Sequence, residues 1–130
     1  MAFYESTDQV YTVLGRLFDR MQTESNHLDQ FAKSHLVIRI NLADPLAEIL
    51  VDGRQPKIFF GTSPGRADLE LNMAADILHQ IWLGERSLRE SFFGGQIKTK
   101  GNVFKAMALG DLFREAEAFY PQVLQEAGLR

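Results

Sequence analysis

Apolar residues recur along the chain with two different periods. Val10, Val13, Leu14, Leu17, Phe18 and Met21 stand at i, i+3, i+4, i+7, i+8 and i+11, the stripe of an amphipathic helix. Ser6, Thr7 or Asp8 supplies the cap and Ser25-Asn26 the end. Leu28 and Phe31 suit a short second helix. From Leu36 the period drops to two. Leu36, Ile38, Ile40 and Leu42 alternate with Val37, Arg39 and Asn41, which predicts a strand with one mixed face. Asp44-Pro45 marks a turn, Ala47 to Val51 a second strand, Asp52-Gly53 a hairpin, and Lys57 to Gly61 a third strand. Ala67 to Asn72 predicts a fourth strand, with Leu69 and Leu71 inward and Asp68 and Glu70 outward.

A helix follows, with Ile77, Leu78, Ile81 and Trp82 on one face, Asp76 in its first turn and Gly84 as its C′ residue. Ser87 to Phe93 predicts a short helix stopped by Gly94-Gly95, and Gln96 to Lys100 a fifth strand. Between Val103 and Leu109 only Lys105 is polar. A helix apolar almost all round must be covered on more than one side, or line a cavity. From Asp111 to Glu117 charge returns, so apolar packing is expected to thin there. Pro121 is placed at the start of a final short helix. The order is helix, three meandering strands, a fourth strand, helix, a fifth strand, helices. That is α+β and not a regular βαβ array.

Composition narrows the function. The 130 residues suit one domain, residues 1–130. Hydrophobic residues make up 45% and charged ones 24%, which excludes disorder. A net charge of -3 argues against a nucleic-acid partner. With no cysteine, disulfides, a thiol nucleophile and a thiolate metal site are excluded, and a cytoplasmic location is the expectation. No apolar run is long enough for a membrane span, and the N-terminus lacks the build of a signal peptide.

Candidate chemistry is sparse. Gly61-Thr62-Ser63-Pro64-Gly65 fits the G-x-S-x-G elbow of α/β-hydrolases. Pro64, however, has no N–H to give an oxyanion hole, and a strand pattern follows where a helix is required. It reads as a hairpin loop. His27, His35 and His79 show no metal-ligand spacing, so no metal is expected. Asp76 and His79, one turn apart, read as a surface pair. Gly94-Gly95 with Lys98, Lys100 and Lys105 suits either a phosphate cradle or a solvated strand face with lysines guarding an edge. Ile77, Ile81, Trp82, Phe92, Phe93, Phe104, Met107, Ala108 and Phe113 form an apolar set that serves either as core or as the wall of a ligand cavity.

The stretch from Phe93 to Ala106, Phe93-Gly94-Gly95-Gln96-Ile97-Lys98-Thr99-Lys100-Gly101 and onward, resembles the signature of the sterol carrier protein type 2 family. Ala67-Asp68-Leu69-Glu70-Leu71, followed by a helix closed at Gly84, resembles that family's preceding block, and the spacing agrees. The resemblance covers about Leu36 to Leu112. It implies a five-stranded mixed, mostly antiparallel sheet covered by helices around an apolar cavity. The activity it implies is non-catalytic: binding and transfer of fatty acids, fatty acyl-CoA, sterol-like or isoprenoid lipids. It implies no cofactor, and transient contact with a membrane surface or with lipid-using enzymes. An alternative is a module presenting a lipid or quinone precursor to enzymes. Under this resemblance the lipid-binding set is the apolar set above together with Ile97. The segment after Asp111, where apolar packing is expected to thin and Pro121 and Gly128 punctuate the chain, is the expected gate. Ala74 stands where the family has a serine helix cap, and Thr99 where it has an apolar residue. The C-terminal Gly128-Leu129-Arg130 is no peroxisomal address, so a stand-alone, bacterial-type domain is expected.

Overall fold

The alternating run after Leu36 forms the central strand. In the computed structural model, which describes residues 3–24, 35–54, 57–62, 65–101 and 107–129, β1 (Val37–Ala43) lies mid-sheet. It is followed in the chain by β2 (Ala47–Asp52), β3 (Lys57–Phe60), β4 (Leu69–Ala74) and β5 (Lys98–Gly101). The helices are α1 (Thr7–Glu24), α2 (Ala75–Trp82), α3 (Leu88–Phe93) and α4 (Met107–Glu126). The strand order is β3-β2-β1-β4-β5. Only the β1–β4 pairing is parallel among these; the other three are antiparallel. The α+β fold and five-stranded mixed sheet expected from the chain are present.

Alternation sorts the two faces. Ile38, Ile40, Leu42, Ile49, Val51, Leu69, Leu71 and Met73 are buried in one core with the helices. The other face is largely polar. Arg39 bonds Glu70 at 3.2 Å and Asn41 donates to Asn72 at 3.0 Å, each across the parallel pair. β4 begins two residues later than predicted. Asp68 closes the strand start by itself: its N–H donates to the Val37 carbonyl and its carboxylate accepts from the Val37 N–H. The strand then runs on to Ala74, because Met73 is buried beside Leu42.

Local chemistry sets the helix ends. Ser6 Oγ accepts from the Gln9 N–H and so caps α1. α2 ends in a Schellman motif around Gly84, whose φ of 77° suits glycine; Glu85 N–H returns to the Gln80 carbonyl and Gly84 N–H to that of Ile81. Ser87 caps α3 by accepting from Glu90 N–H.

The C-terminal third departs from expectation. Pro121 starts no new helix; α4 runs through it to Glu126. An interior proline costs roughly 3 kcal/mol. Offsetting that, Leu112, Phe113, Ala116, Tyr120, Val123 and Leu124 form one buried stripe on both sides of it. Apolar packing therefore does not thin after Asp111; Arg114 and Glu117 are turned to solvent while Leu112, Phe113 and Ala116 are buried. Arg20 of α1 clasps Glu126 with two bonds of 2.6 and 2.8 Å, fastening α4 further. A gate in this helix is not what the packing supports. The predicted helix at Leu28 and Phe31, His27, and the Ser63-Pro64 pair lie outside the described residues. No helix of the described residues is long and apolar enough to cross a membrane.

Candidate functional site

The aromatic centre of the helical layer is Trp82. It is 1% exposed and is met by Phe18 of α1 and by Phe113 and Tyr120 of α4, with ring centroids 6.3, 5.5 and 5.4 Å away. The 3.6 period of α2 places Leu78, Ile81 and Trp82 together on its buried side. Ile77 is half-buried at the edge of the core.

Polar groups sit inside this apolar region. His79 is buried, and its Nδ1 lies 2.7 Å from the Tyr120 hydroxyl, which is hydrogen-bonded in turn to the hydroxyl of Tyr4. Phe3 stacks on the His79 ring at 3.7 Å, and its N–H donates to Asp76 Oδ1 at 2.9 Å. The expected surface pair of Asp76 and His79 is therefore corrected. His79 turns inward because Tyr120 offers a buried partner, and Asp76 holds the N-terminal segment instead. Burial pushes the Tyr4 phenol up to about 12, against the opposing effect of its bond with Tyr120. Burial likewise pushes Tyr120 up, reinforced by Tyr4. Both phenols stay protonated at neutral pH.

The space bounded by Tyr4, Leu14, Leu42, His79, Trp82 and Tyr120 is closed tight, with 0 Å³ open to a water molecule. Outside it lies a solvent-facing groove of about 510 Å³ between α2, α3 and α4. Ile81, Leu88 and Phe113 give it an apolar floor, and Arg86, Arg89, Arg114, Glu85, Glu90 and Glu117 a charged rim. Phe113 links the two, since it walls the groove and packs edge-on against Trp82, which borders the closed space.

The expected lipid-binding set is thus partly gathered. Ile81, Trp82, Ile97 and Phe113 are buried in the core, and Ile77 and Phe92 pack half-buried against it. Ile97 is held by its N–H donating to the Ser91 carbonyl, a buried residue of α3. Phe93 stands apart, 81% exposed, with the Arg89 guanidinium 5.7 Å from its ring. Phe104 lies outside the described residues, as does Lys105; Met107 and Ala108 open α4, with their side chains outside that description. Lys98 and Lys100 pair with Asn72 and Glu70 on the polar sheet face, away from the helical layer. Pattern reading missed Tyr4 and Tyr120 and put the buried His79 on the surface. Tyr120 was discoverable, one turn beyond Ala116 on the α4 stripe; Tyr4 precedes α1 and has no periodicity to reveal it.

Comparison with known proteins places this arrangement. The model of the SCP-2 sterol transfer family matches residues 14–114. A curated "Fatty acid-binding protein" of Yarrowia lipolytica is 34% identical over 53 residues, a match covering 41% of this chain and 41% of that protein. The solved apo form of sterol carrier protein 2 from Yarrowia lipolytica superposes with a TM-score of 0.64 at 24% identity, over 85% of this chain and 91% of that one. A structure described as "UbiJ-SCP2 Ubiquinone synthesis protein" superposes with a TM-score of 0.61 at 16% identity, over 83% of this chain and 97% of that one.

Proposed function

The chain belongs to the SCP-2 sterol transfer family, and from that premise we propose that it binds and carries apolar lipids without transforming them. The observation that carries this reading is the family match across residues 14–114, which includes Trp82, Phe113 and most of the groove lining. Fatty acyl chains and isoprenoid tails are the ligand classes proposed. The lipid-binding residues proposed are Ile77, Ile81, Trp82, Phe92, Phe93, Ile97, Phe104, Met107, Ala108 and Phe113.

Apolar burial supplies the driving force. Each buried methylene contributes about 0.8 kcal/mol, so a long acyl chain gains on the order of 10 kcal/mol before association and ordering costs. That sustains micromolar binding with loose selectivity, since an apolar wall separates ligands differing by one methylene by roughly 1–3 kcal/mol at best. A carrier and not a catalyst is favoured by the state of the interior. His79 is hydrogen-bonded to Tyr120, and burial holds both phenols in their neutral form. A cytoplasmic place of action is in keeping with a chain that has no cysteine.

A second reading, presentation of a lipid precursor to enzymes that use it, draws on the ubiquinone-synthesis neighbour and on the exposed Phe93 with Arg89 over its ring. Organic extraction of the purified protein followed by mass spectrometry tests the first reading. Co-purified lipid and transfer between vesicles are expected. Recovery of a lipid-using enzyme in a pull-down, with no vesicle transfer, would favour the second.

A further inference from the structure

Trp82 carries a buried polar atom that none of the described residues satisfies. Among them its indole N–H has no hydrogen-bond partner, although the residue is only 1% exposed. Buried donors are paired in the great majority of cases, and an unmet one is an expense the native state carries. Trp82 borders the same closed space as the linked Tyr4, Tyr120 and His79. Tyr4, Tyr120 and His79 satisfy one another there, which leaves the Trp82 indole N–H as the surplus donor beside them.

We infer that this spot is a binding site for the neutral, carbonyl-bearing end of an apolar ligand, with the Trp82 indole N–H donating to that oxygen and the Tyr4 ring giving way to admit it. The inference rests on the carrier reading and names the ligand chemistry for it. Indole N–H is a donor only, so its partner must bring an acceptor. The acceptor must be uncharged, because this space disfavours an anion: burial drives the phenols toward their neutral form, and the nearby Asp76 carboxylate is engaged by Phe3. A ketone, ester or aldehyde oxygen meets both requirements; a free carboxylate does not. With 0 Å³ open to water, something must move. Tyr4 is the group assigned to move, because it lies ahead of α1 in a segment with neither helix nor strand structure, and its entry-opening swing must break its bond to Tyr120. Access runs past Phe113, which walls the groove and touches Trp82 edge-on.

Trp82 is the chain's single tryptophan, so the nitrogen-15-labelled protein gives one indole cross-peak. Titrating it with n-tridecane, 2-tridecanone and tridecanoate separates the possibilities. The ketone is expected to move the indole proton downfield and the alkane to leave it unshifted. The ketone-over-alkane preference should fall about tenfold in Trp82→Phe, the loss of one buried hydrogen bond. Tyr4→Ala should bind the ketone more tightly. Should Trp82→Phe fail to unfold cooperatively, the indole shift in the unaltered chain decides. A ketone that binds without moving the indole resonance overturns the inference and leaves lipid carriage standing. Tighter binding of tridecanoate overturns the neutral-head assignment, and weaker ketone binding by a folded Tyr4→Ala overturns the displacement. If none of the three probes binds, the carrier reading falls with it.

Discussion

The Nδ1 atom of His79, on α2, sits 2.7 Å from the phenolic oxygen of Tyr120, on α4, within the apolar layer. That bond and the Tyr4–Tyr120 bond make the Tyr120 hydroxyl the shared member of a buried polar line. Tyr120→Phe therefore breaks two buried hydrogen bonds, whereas Tyr4→Phe breaks one. An unsatisfied buried group costs about 1–3 kcal/mol. Denaturant unfolding should show Tyr120→Phe destabilised by that amount, and by more than Tyr4→Phe. Equal effects would mean that His79 and Tyr120 do not depend on one another.

Alkaline pH should attack the same line. Burial raises the folded Tyr4 phenol from its ordinary 10.0 to about 12, and raises Tyr120 as well. A phenol harder to ionise in the fold than in the unfolded chain stabilises fully below the unfolded value. That stability is lost as pH climbs from about 10 through the folded value. Phenolate absorbance from Tyr4 and Tyr120 should therefore appear together with loss of the fold, not before it. In Tyr4→Phe the decline of stability above pH ~10 should be shallower. A profile identical to that of the unaltered chain would contradict the assignment.

The strand-to-helix junction at Ala74 offers a gain. Ala74 occupies the N-cap position of α2 with extended φ/ψ of -68° and 146°, and it makes no side-chain capping bond. A serine there brings an oxygen to the first free N–H groups of the helix, worth about 0.5–2 kcal/mol. Ala74→Ser should raise the midpoint of thermal unfolding without altering lipid binding, since Ala74 lines neither the groove nor the closed interior space.

Legibility in the sequence followed the strength of local signals. The α1 stripe, the β1 alternation, Ser87 and Gly84 each act over a few residues, and each sits where its pattern pointed. The β4 boundary moved because its start is decided by Asp68 bonding Val37, a partner 31 positions away. Pro121 misled because its local cost is legible, while the stripe from Leu112 to Leu124 that outweighs it must be read across the proline. His79 misled for a similar reason. Its sequence neighbour Asp76 is visible at one helical turn, but its actual partner is Tyr120, 41 residues on. The apolar part of the candidate site was therefore open to pattern reading, and its polar part was set by tertiary contacts alone.

Gly101 ends β5 under a constraint that no other residue type meets. Its φ is 106°, and a Cβ there would lie 2.3 Å from the Asp68 carbonyl oxygen, a backbone atom with little room to yield. Two penalties therefore combine in Gly101→Ala: strain at positive φ, about 1–2 kcal/mol, and the collision, which must push β5 away from Leu69 on β4. Gly95 separates the two effects. Its φ is 82°, yet a Cβ there meets nothing within 4 Å, so Gly95→Ala should lose only the strain. Chemical denaturation of both variants should place Gly101→Ala well below Gly95→Ala, with amide protection lost first along Lys98–Gly101. Because Ile97 is buried just before β5, loosening that strand should also open the core and raise binding of a hydrophobic dye. Matching losses in the two variants would show that backbone strain alone, and not the close approach of β5 to Asp68, requires glycine at position 101.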